Sequence, residues 1–244
     1  MRILAFSDLH GNAPTLEMLR KNIEDKSFDY MLVAGDLTNA DLISPFSRVY
    51  QVKEIFSIME SFEIPYYFVW GVPFREGSLA ITLQIPEITG DASTREIKRF
   101  LSSLKFGKHL RRDRPVMLGE YLLTSDPKNI SDNTIFLNHH YREIIPQALI
   151  QIDGHIHYGQ HVCNYLNLGF LYRDVAHRAQ PMVGCYWELT LENQKVSVNF
   201  VNLGGQLKEY NCSVHSKEGT FYIPYYWKKC PVCFDSENAI NRSV

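Results

Sequence analysis

The chain opens on an apolar run, Met1-Arg2-Ile3-Leu4-Ala5-Phe6-Ser7-Asp8, that reads as one buried strand. Comparable runs recur at Tyr30 to Ala34, at Pro65-Tyr66-Tyr67-Phe68-Val69-Trp70 and at Thr134 to Leu137. Between the first two, Asn12-Ala13-Pro14-Thr15-Leu16-Glu17 opens a helix to about Asp25, with Asn12 or Ala13 near the N-cap and Pro14 in the first turn. A second helix is predicted over Ile43 to Phe62, with Pro65 marking its exit. Phe100, Leu101 and Leu104 give an apolar face to a third, beginning near Arg95. The runs His161 to Tyr172, Val183 to Leu191 and Lys195 to Val201 predict closing strands, with Glu192-Asn193-Gln194 as a tight hairpin. Val72 to Asp91, punctuated by Pro73, Gly77, Pro86 and Gly90, predicts a long loop or insertion.

Polar residues of one chemical kind follow the apolar runs. Asp8-Leu9-His10 ends the first, Gly35-Asp36-Leu37-Thr38-Asn39 the second and Asn138-His139-His140 that of Thr134 to Leu137, while Asp153 leads into Gly154-His155-Ile156-His157. In open parallel sheets, ligands bind in the crevice beyond the carboxyl ends of the strands. One such histidine is ordinarily a core residue donating to a carbonyl. Four strand-end sites rich in carboxylate and imidazole point to a metal centre instead.

The order Asp-x-His, Gly-Asp, His, Gly-His-x-His resembles the calcineurin-like metallophosphoesterases, over Met1 to about Val201. The resemblance implies an α/β (α+β) four-layer sandwich, two mixed β-sheets flanked by helices. It also implies two divalent ions, manganese, iron or zinc, that hydrolyse phosphomono- or phosphodiesters through a metal-activated water. Carried over residue by residue, it assigns Asp8, His10 and His157 to the first ion and His139 and His155 to the second. Asp36 would bridge both, and Asp36 and His139 would be catalytic. Two cations about 3.5–4 Å apart clamp the attacking and leaving oxygens of an in-line displacement. A mixed carboxylate and imidazole set does not select one metal among these. Asn167-Leu168-Gly169 resembles the Asn-x-Gly segment that follows the last histidines in the family.

One family motif is altered. Where Gly-Asn-His-Asp or Gly-Asn-His-Glu is expected, the chain reads Gly71-Val72-Pro73-Phe74-Arg75-Glu76. The missing asparagine is one ligand of the second ion; the missing histidine contacts phosphate and assists the leaving group, help worth about 10²–10⁴ in rate. Arg75 is the candidate replacement at the phosphoryl oxygens, through a forked and permanently charged contact, and Glu76 the candidate oxygen ligand; a solvated loop is the ordinary reading of both. The alternative function is a catalytically degenerate scaffold of the same fold that binds a protein or nucleic-acid partner.

Cys212-Ser213-Val214-His215 and Cys230-Pro231-Val232-Cys233 form two knuckles whose ligand types match one closed structural zinc site. The aromatic stretch Gly219 to Trp227 between them is expected to supply the hairpin of a zinc ribbon. The predicted organisation is a phosphoesterase domain over 1–205, a zinc-ribbon-like module over 206–234 and a polar tail over 235–244. Cys163 and Cys185 are expected as buried thiols. Metal ligands within the first ten residues argue against a cleavable signal peptide, and no apolar segment is long enough to span a membrane. A soluble cytoplasmic protein is expected.

With 244 residues, 45% of them hydrophobic, the chain can hold one sizeable core and a small module. Its net charge of −2 does not favour a nucleic-acid partner. The exception is Arg95 to Arg114, with eight Lys or Arg against Glu96 and Asp113. That block reads first as a solvated helix face and charged loop, and second as a contact for RNA or an anionic substrate. A phosphate ester is the expected substrate, no membrane partner is expected, and the C-terminal module is the candidate surface for a protein partner.

Overall fold

The computed structural model describes residues 1–39, 45–71, 92–141, 143–173 and 180–234. The whole loop expected over Val72 to Asp91, with Arg75 and Glu76, and the polar tail lie outside the described residues. The chain runs β1 (Arg2–Phe6), α1 (Ala13–Asn22), β2 (Tyr30–Ala34), α2 (Pro45–Glu60), β3 (Tyr66–Val69), α3 (Ala92–Ser102) and β4 (Gly107–His109). It continues through β5 (Val116–Leu118), β6 (Tyr121–Thr124), β7 (Thr134–Leu137), β8 (Ile150–Asp153), β9 (Gly159–Val162) and β10 (Tyr165–Leu168). Then come β11 (Tyr172–Arg173), β12 (Met182–Val183), β13 (Tyr186–Glu192), β14 (Lys195–Val201), β15 (Leu207–Asn211) and β16 (Thr220–Pro224).

Two mixed sheets result. One has six strands in the order β14-β13-β1-β2-β3-β4, the other eight in the order β15-β16-β9-β10-β8-β7-β6-β5. β1 to β4 are parallel, as are β6, β7, β8 and β10, so the carboxyl ends of each group share one edge. Side chains alternate across a strand. Ile3 and Ala5, Leu32 and Ala34, and Tyr67 and Val69 therefore face the second sheet, where they meet Leu123, Ile135, Leu137, Ile150 and Ile152. Leu4 and Phe6, Met31 and Val33, and Tyr66 and Phe68 face the other way, onto Leu16 and Leu19 of α1, Val52, Ile55, Phe56 and Met59 of α2 and Ile97 of α3. Burial on both faces explains why these strands read as continuous apolar runs. Helical cover among the described residues lies on the six-stranded sheet.

The helix boundaries follow local chemistry. Asn12 caps α1 by accepting from the Thr15 amide at 3.0 Å, with Pro14 in the first turn where a missing amide hydrogen is harmless. The α2 carboxylate Glu60 accepts from the amides of Lys105, Phe106 and Gly107 and so holds the entry to β4.

Three local expectations change. The run His161 to Tyr172 is not one strand: a turn at Cys163 and Asn164 splits it into β9 and β10, with Cys163 at φ 53°. Cys163 is consequently exposed, whereas Cys185 is buried as expected. The turn holds because the Asn164 side chain donates to the Ile145 and Ala148 carbonyls. In the C-terminal segment only Thr220–Pro224 of the stretch Gly219 to Trp227 is a strand, and its hairpin partner β15 precedes Cys212. The reason is competition for edges: β16 pairs with β15 on one side and with β9 on the other. The strands of the expected module are thus continuous with the second sheet.

Candidate metal centre

The loops beyond β1, β2, β7 and β8 converge where the two sheets meet. Backbone bonds lock them together: the Asp8 amide donates to the Gly35 carbonyl, Leu9 and His10 both donate to the Asp36 carbonyl, and Gly154 donates to the His139 carbonyl. Asp8, His10, Asp36, His155 and His157 all adopt left-handed backbone, with φ between 48° and 75°. Such conformations cost roughly 1–3 kcal/mol each for non-glycine residues and cluster at functional sites. They turn these side chains out of the strand direction into one crevice.

Two sets of ligand atoms result: Asp8 with His10 and His157, and Asp36 with His139 and His155, each set within 4.8 Å of one another. In the first, the Nε2 atoms of His10 and His157 are 3.1 Å apart, and they lie 3.8 and 3.1 Å from Asp8 Oδ1. In the second, His139 Nε2 lies 3.2 Å from Asp36 Oδ2. The sets adjoin, because the His155 amide donates to Asp8 Oδ2 at 2.9 Å.

The chemistry of these atoms fits cations. Asp8 Oδ1 and His139 Nε2 are buried without a hydrogen-bond partner, although each has a polar neighbour close by. Buried polar atoms are normally satisfied. Ligand-type atoms that converge to about 3 Å fit a shared ion, whose bonds to oxygen and nitrogen run near 2.0–2.2 Å. His139 Nδ1 donates to the Ala34 carbonyl at 2.6 Å, which leaves Nε2 for the cation.

Electrostatics point the same way. Burial alone would raise the Asp8 carboxyl, but His157, His139 and His10 pull it far below the usual carboxylate range. Burial would lower His139, yet Asp36 and then Asp8 push it up to about 9. Burial lowers His155, helped by His139 and His140. A crevice that concentrates carboxylate charge in this way suits a cation, whose binding would displace the His139 proton.

His140 is exposed, with its ring 4.6 Å from that of His155, and belongs to neither set. Asp153, which introduces the last motif, also stands apart: it is buried on β8, accepts from Gln151 Nε2 at 3.0 Å and has its carboxyl pushed up to about 7 by burial. Asn167 is a holder, donating to the Gly154 carbonyl at 2.6 Å and accepting from the Gly169 amide. Two glycines are required by close approach: a Cβ on Gly71 would stand 1.6 Å from Asp36 Oδ1, and one on Gly154 would stand 2.6 Å from Asp8 Oδ2. Gly71, the first residue of the altered motif, thus lies against Asp36.

Residues 1–72 match the family model for calcineurin-like phosphoesterases, which takes in Asp8, His10 and Asp36. The protein has the calcineurin-like phosphoesterase fold. TT1561 of Thermus thermophilus superposes with a TM-score of 0.51 at 16% identity, over 83% of this chain and 98% of that one. Purple acid phosphatase PPD1 from yellow lupin (Lupinus luteus) seeds gives a TM-score of 0.51 at 12% identity, over 83% of this chain and 51% of that one. No curated protein matches significantly in sequence. Recognition of the phosphoesterase fold thus rests on the first two motifs and on architecture, and the histidines after β7 and β8 join the site through geometry.

A third ligand set lies in the C-terminal segment, made by Cys212, His215, Cys230 and Cys233. Within the basic block, Arg111 pairs with Asp113 and Arg112 with Asp126, while its acid Glu96 pairs with Lys53 of α2. No helix among the described residues is long and apolar enough to cross a membrane.

Proposed function

We propose that this chain is a metal-dependent phosphoesterase, hydrolysing phosphomono- or phosphodiesters at a two-ion centre. Asp8, His10 and His157 would hold one ion, His139 and His155 the other, with Asp36 between them. The observation that carries this reading is the pair of adjoining ligand sets, built on strained strand-end loops and containing buried ligand atoms without hydrogen-bond partners. When bound, two such ions supply Lewis acidity at the phosphate and lower the pKa of a water. Manganese, iron and zinc all suit the donors.

The chain's own residues do the rest. Asp8 keeps its negative charge and fixes the His155 amide, so the two halves of the crevice keep their spacing. The Ala34 carbonyl orients His139, and Asn167 holds the Gly154 turn that presents His155 and His157. Asp36 lies against Gly71, where phosphate contacts of the altered motif would begin, and Arg75 is the candidate for stabilising the phosphoryl oxygens. The five cysteines form no disulfide, which fits the expected cytoplasmic setting.

The test is hydrolysis of bis-p-nitrophenyl phosphate and p-nitrophenyl phosphate by protein stripped and reloaded with manganese. Turnover that disappears in Asp36→Asn is expected. Retention of turnover in Asp36→Asn would overturn the assignment. Ion binding without turnover would favour the scaffold reading, which the replacement of the family's Asn-His pair by Val72 and Pro73 motivates.

A further inference from the structure

The Cys212, His215, Cys230, Cys233 set is arranged for a tetrahedral ion. Its S···S separations are 3.5 Å between Cys230 and Cys233 and 3.8 Å between Cys212 and Cys233. His215 Nδ1 stands 3.3, 3.4 and 3.6 Å from the sulfurs of Cys233, Cys230 and Cys212. Bonds near 2.3 Å to sulfur and 2.0–2.1 Å to nitrogen, set tetrahedrally, separate ligand atoms by about 3.5–3.8 Å. These are not disulfides, whose sulfurs lie about 2.05 Å apart. The Cys233 amide donates to Cys230 Sγ at 3.4 Å, as an ordered thiolate requires. Three sulfurs and one imidazole in a tetrahedral set match the three-cysteine, one-histidine class of structural zinc sites.

The set also lies on a path to the candidate active site. Its immediate core consists of Cys212, Cys230, Phe221 and Ile223, with Tyr158, Tyr210 and Trp227 packed against it. Tyr158 directly follows His157. Phe221 and Tyr222 sit on β16, which pairs with β9 through Thr220 with His161, Phe221 with Gln160 and Tyr222 with Gly159. Gln160 Nε2 donates to the Glu218 carbonyl at 2.8 Å, tying β9 to the turn between the knuckles. A second path runs through Arg173, a buried cation whose guanidinium donates to Tyr226 Oη at 3.1 Å and lies over the rings of Phe170 and Trp227. The Phe170 ring in turn stands 6.5 Å from that of His157.

We infer that Cys212, His215, Cys230 and Cys233 bind one zinc ion that acts as a strut, holding β16 against β9 and thereby fixing the strained loop that presents His155 and His157. The zinc is a positioning element, and its role in hydrolysis rests on the phosphoesterase reading; its role in ordering the loop does not. The hairpin is too small to bury a core of its own. Metal binding energy therefore supplies order that reaches the second sheet.

The experiment uses the full chain and compares wild type, Cys230→Ser/Cys233→Ser and Asp36→Asn. Zinc is counted per chain after dialysis against a mild chelator, amide exchange is followed over 155–161, and manganese affinity is titrated. One retained zinc is expected in wild type and in Asp36→Asn, and none in the double serine variant. That variant should exchange its 155–161 amides roughly tenfold faster or more. It should also lose about 10–100-fold in manganese affinity, as loss of groups that orient metal ligands does. Should it fail to fold, wild type stripped of zinc by a mercurial, then freed of mercury with excess small thiol and resupplied with zinc, is expected to show the same changes and their reversal. Zinc absent from wild type, or zinc loss with unchanged exchange at 155–161, would overturn the strut. Expected zinc counts and exchange in a protein that neither binds manganese nor hydrolyses phosphate would support the strut while removing the phosphoesterase reading.

Discussion

The strand-end crevice and the C-terminal knuckles are both preformed ligand sets, yet they are built in opposite ways. The crevice draws one or two ligands from each of four loops far apart in sequence and holds most of them in left-handed backbone. The knuckles draw four ligands from two short segments around one hairpin. The crevice mixes oxygen with nitrogen and grades from buried Asp8 to a partly exposed Asp36, whereas the knuckles are rich in sulfur and enclose Cys230 completely. Hard and borderline ligands with an accessible side suit ions that must exchange water and substrate; a closed sulfur set suits an ion that never turns over. On the proposed reading, ligand chemistry, backbone strain and exposure together would distinguish a site for reaction from a site for structure.

The sharpest break in this comparison is Asp36→Asn. It should reduce phosphodiester hydrolysis to background and weaken manganese, while zinc in the knuckles stays at one per chain; a concurrent loss of zinc would show that the two sites are not separable in this direction. Next is Gly154→Ala, where the new methyl would meet Asp8 Oδ2, the Ala34 carbonyl and Ser7 Oγ, all within 2.8 Å. Crowding of this kind costs about 1–3 kcal/mol. Thermal denaturation should show that loss together with reduced manganese binding, and a variant with wild-type affinity would place Gly154 outside the site. Asn167→Ala comes third, with a cost of about 1–3 kcal/mol from the unpaired Gly154 carbonyl and a 10–100-fold loss of manganese affinity.

The smallest effect is that of pH, and its sign follows from His139. Its pKa is raised from 6.5 to about 9, so the metal-free pairing with Asp36 contributes stability that is complete below about pH 6.5 and lost as pH rises through about 9. Metal must displace that proton. Manganese affinity should therefore rise toward pH 9, by up to about tenfold per unit where His139 remains protonated, while zinc retention in the knuckles should not follow this slope. A flat manganese profile between pH 7 and 9 would remove His139 from the ligand set.

Much of this arrangement is legible along the chain, for identifiable reasons. Strands buried on both faces leave continuous apolar runs, and Asp8, His10, Asp36, His139, His155 and His157 all follow such runs closely. Cys163 was misleading because the run around it gives no sign of the turn: its left-handed φ is carried by a non-glycine residue and secured by Asn164 bonding to distant carbonyls. Asp153 introduces a ligand motif, but alternation on β8 turns it away beside Gln151.

Which residue types stand at strand ends, how the knuckles are spaced and where the helices start are all written in the chain, because periodicity, capping and ligand chemistry act within a few neighbouring residues. Three-dimensional packing alone divides the six candidate ligands into two adjoining triplets, joins the hairpin of the knuckles to the second sheet, and lets Tyr158 and Arg173 connect it to His157. Those relations depend on strand order and edge pairing between segments distant in sequence. No local pattern encodes which free sheet edge a strand will meet.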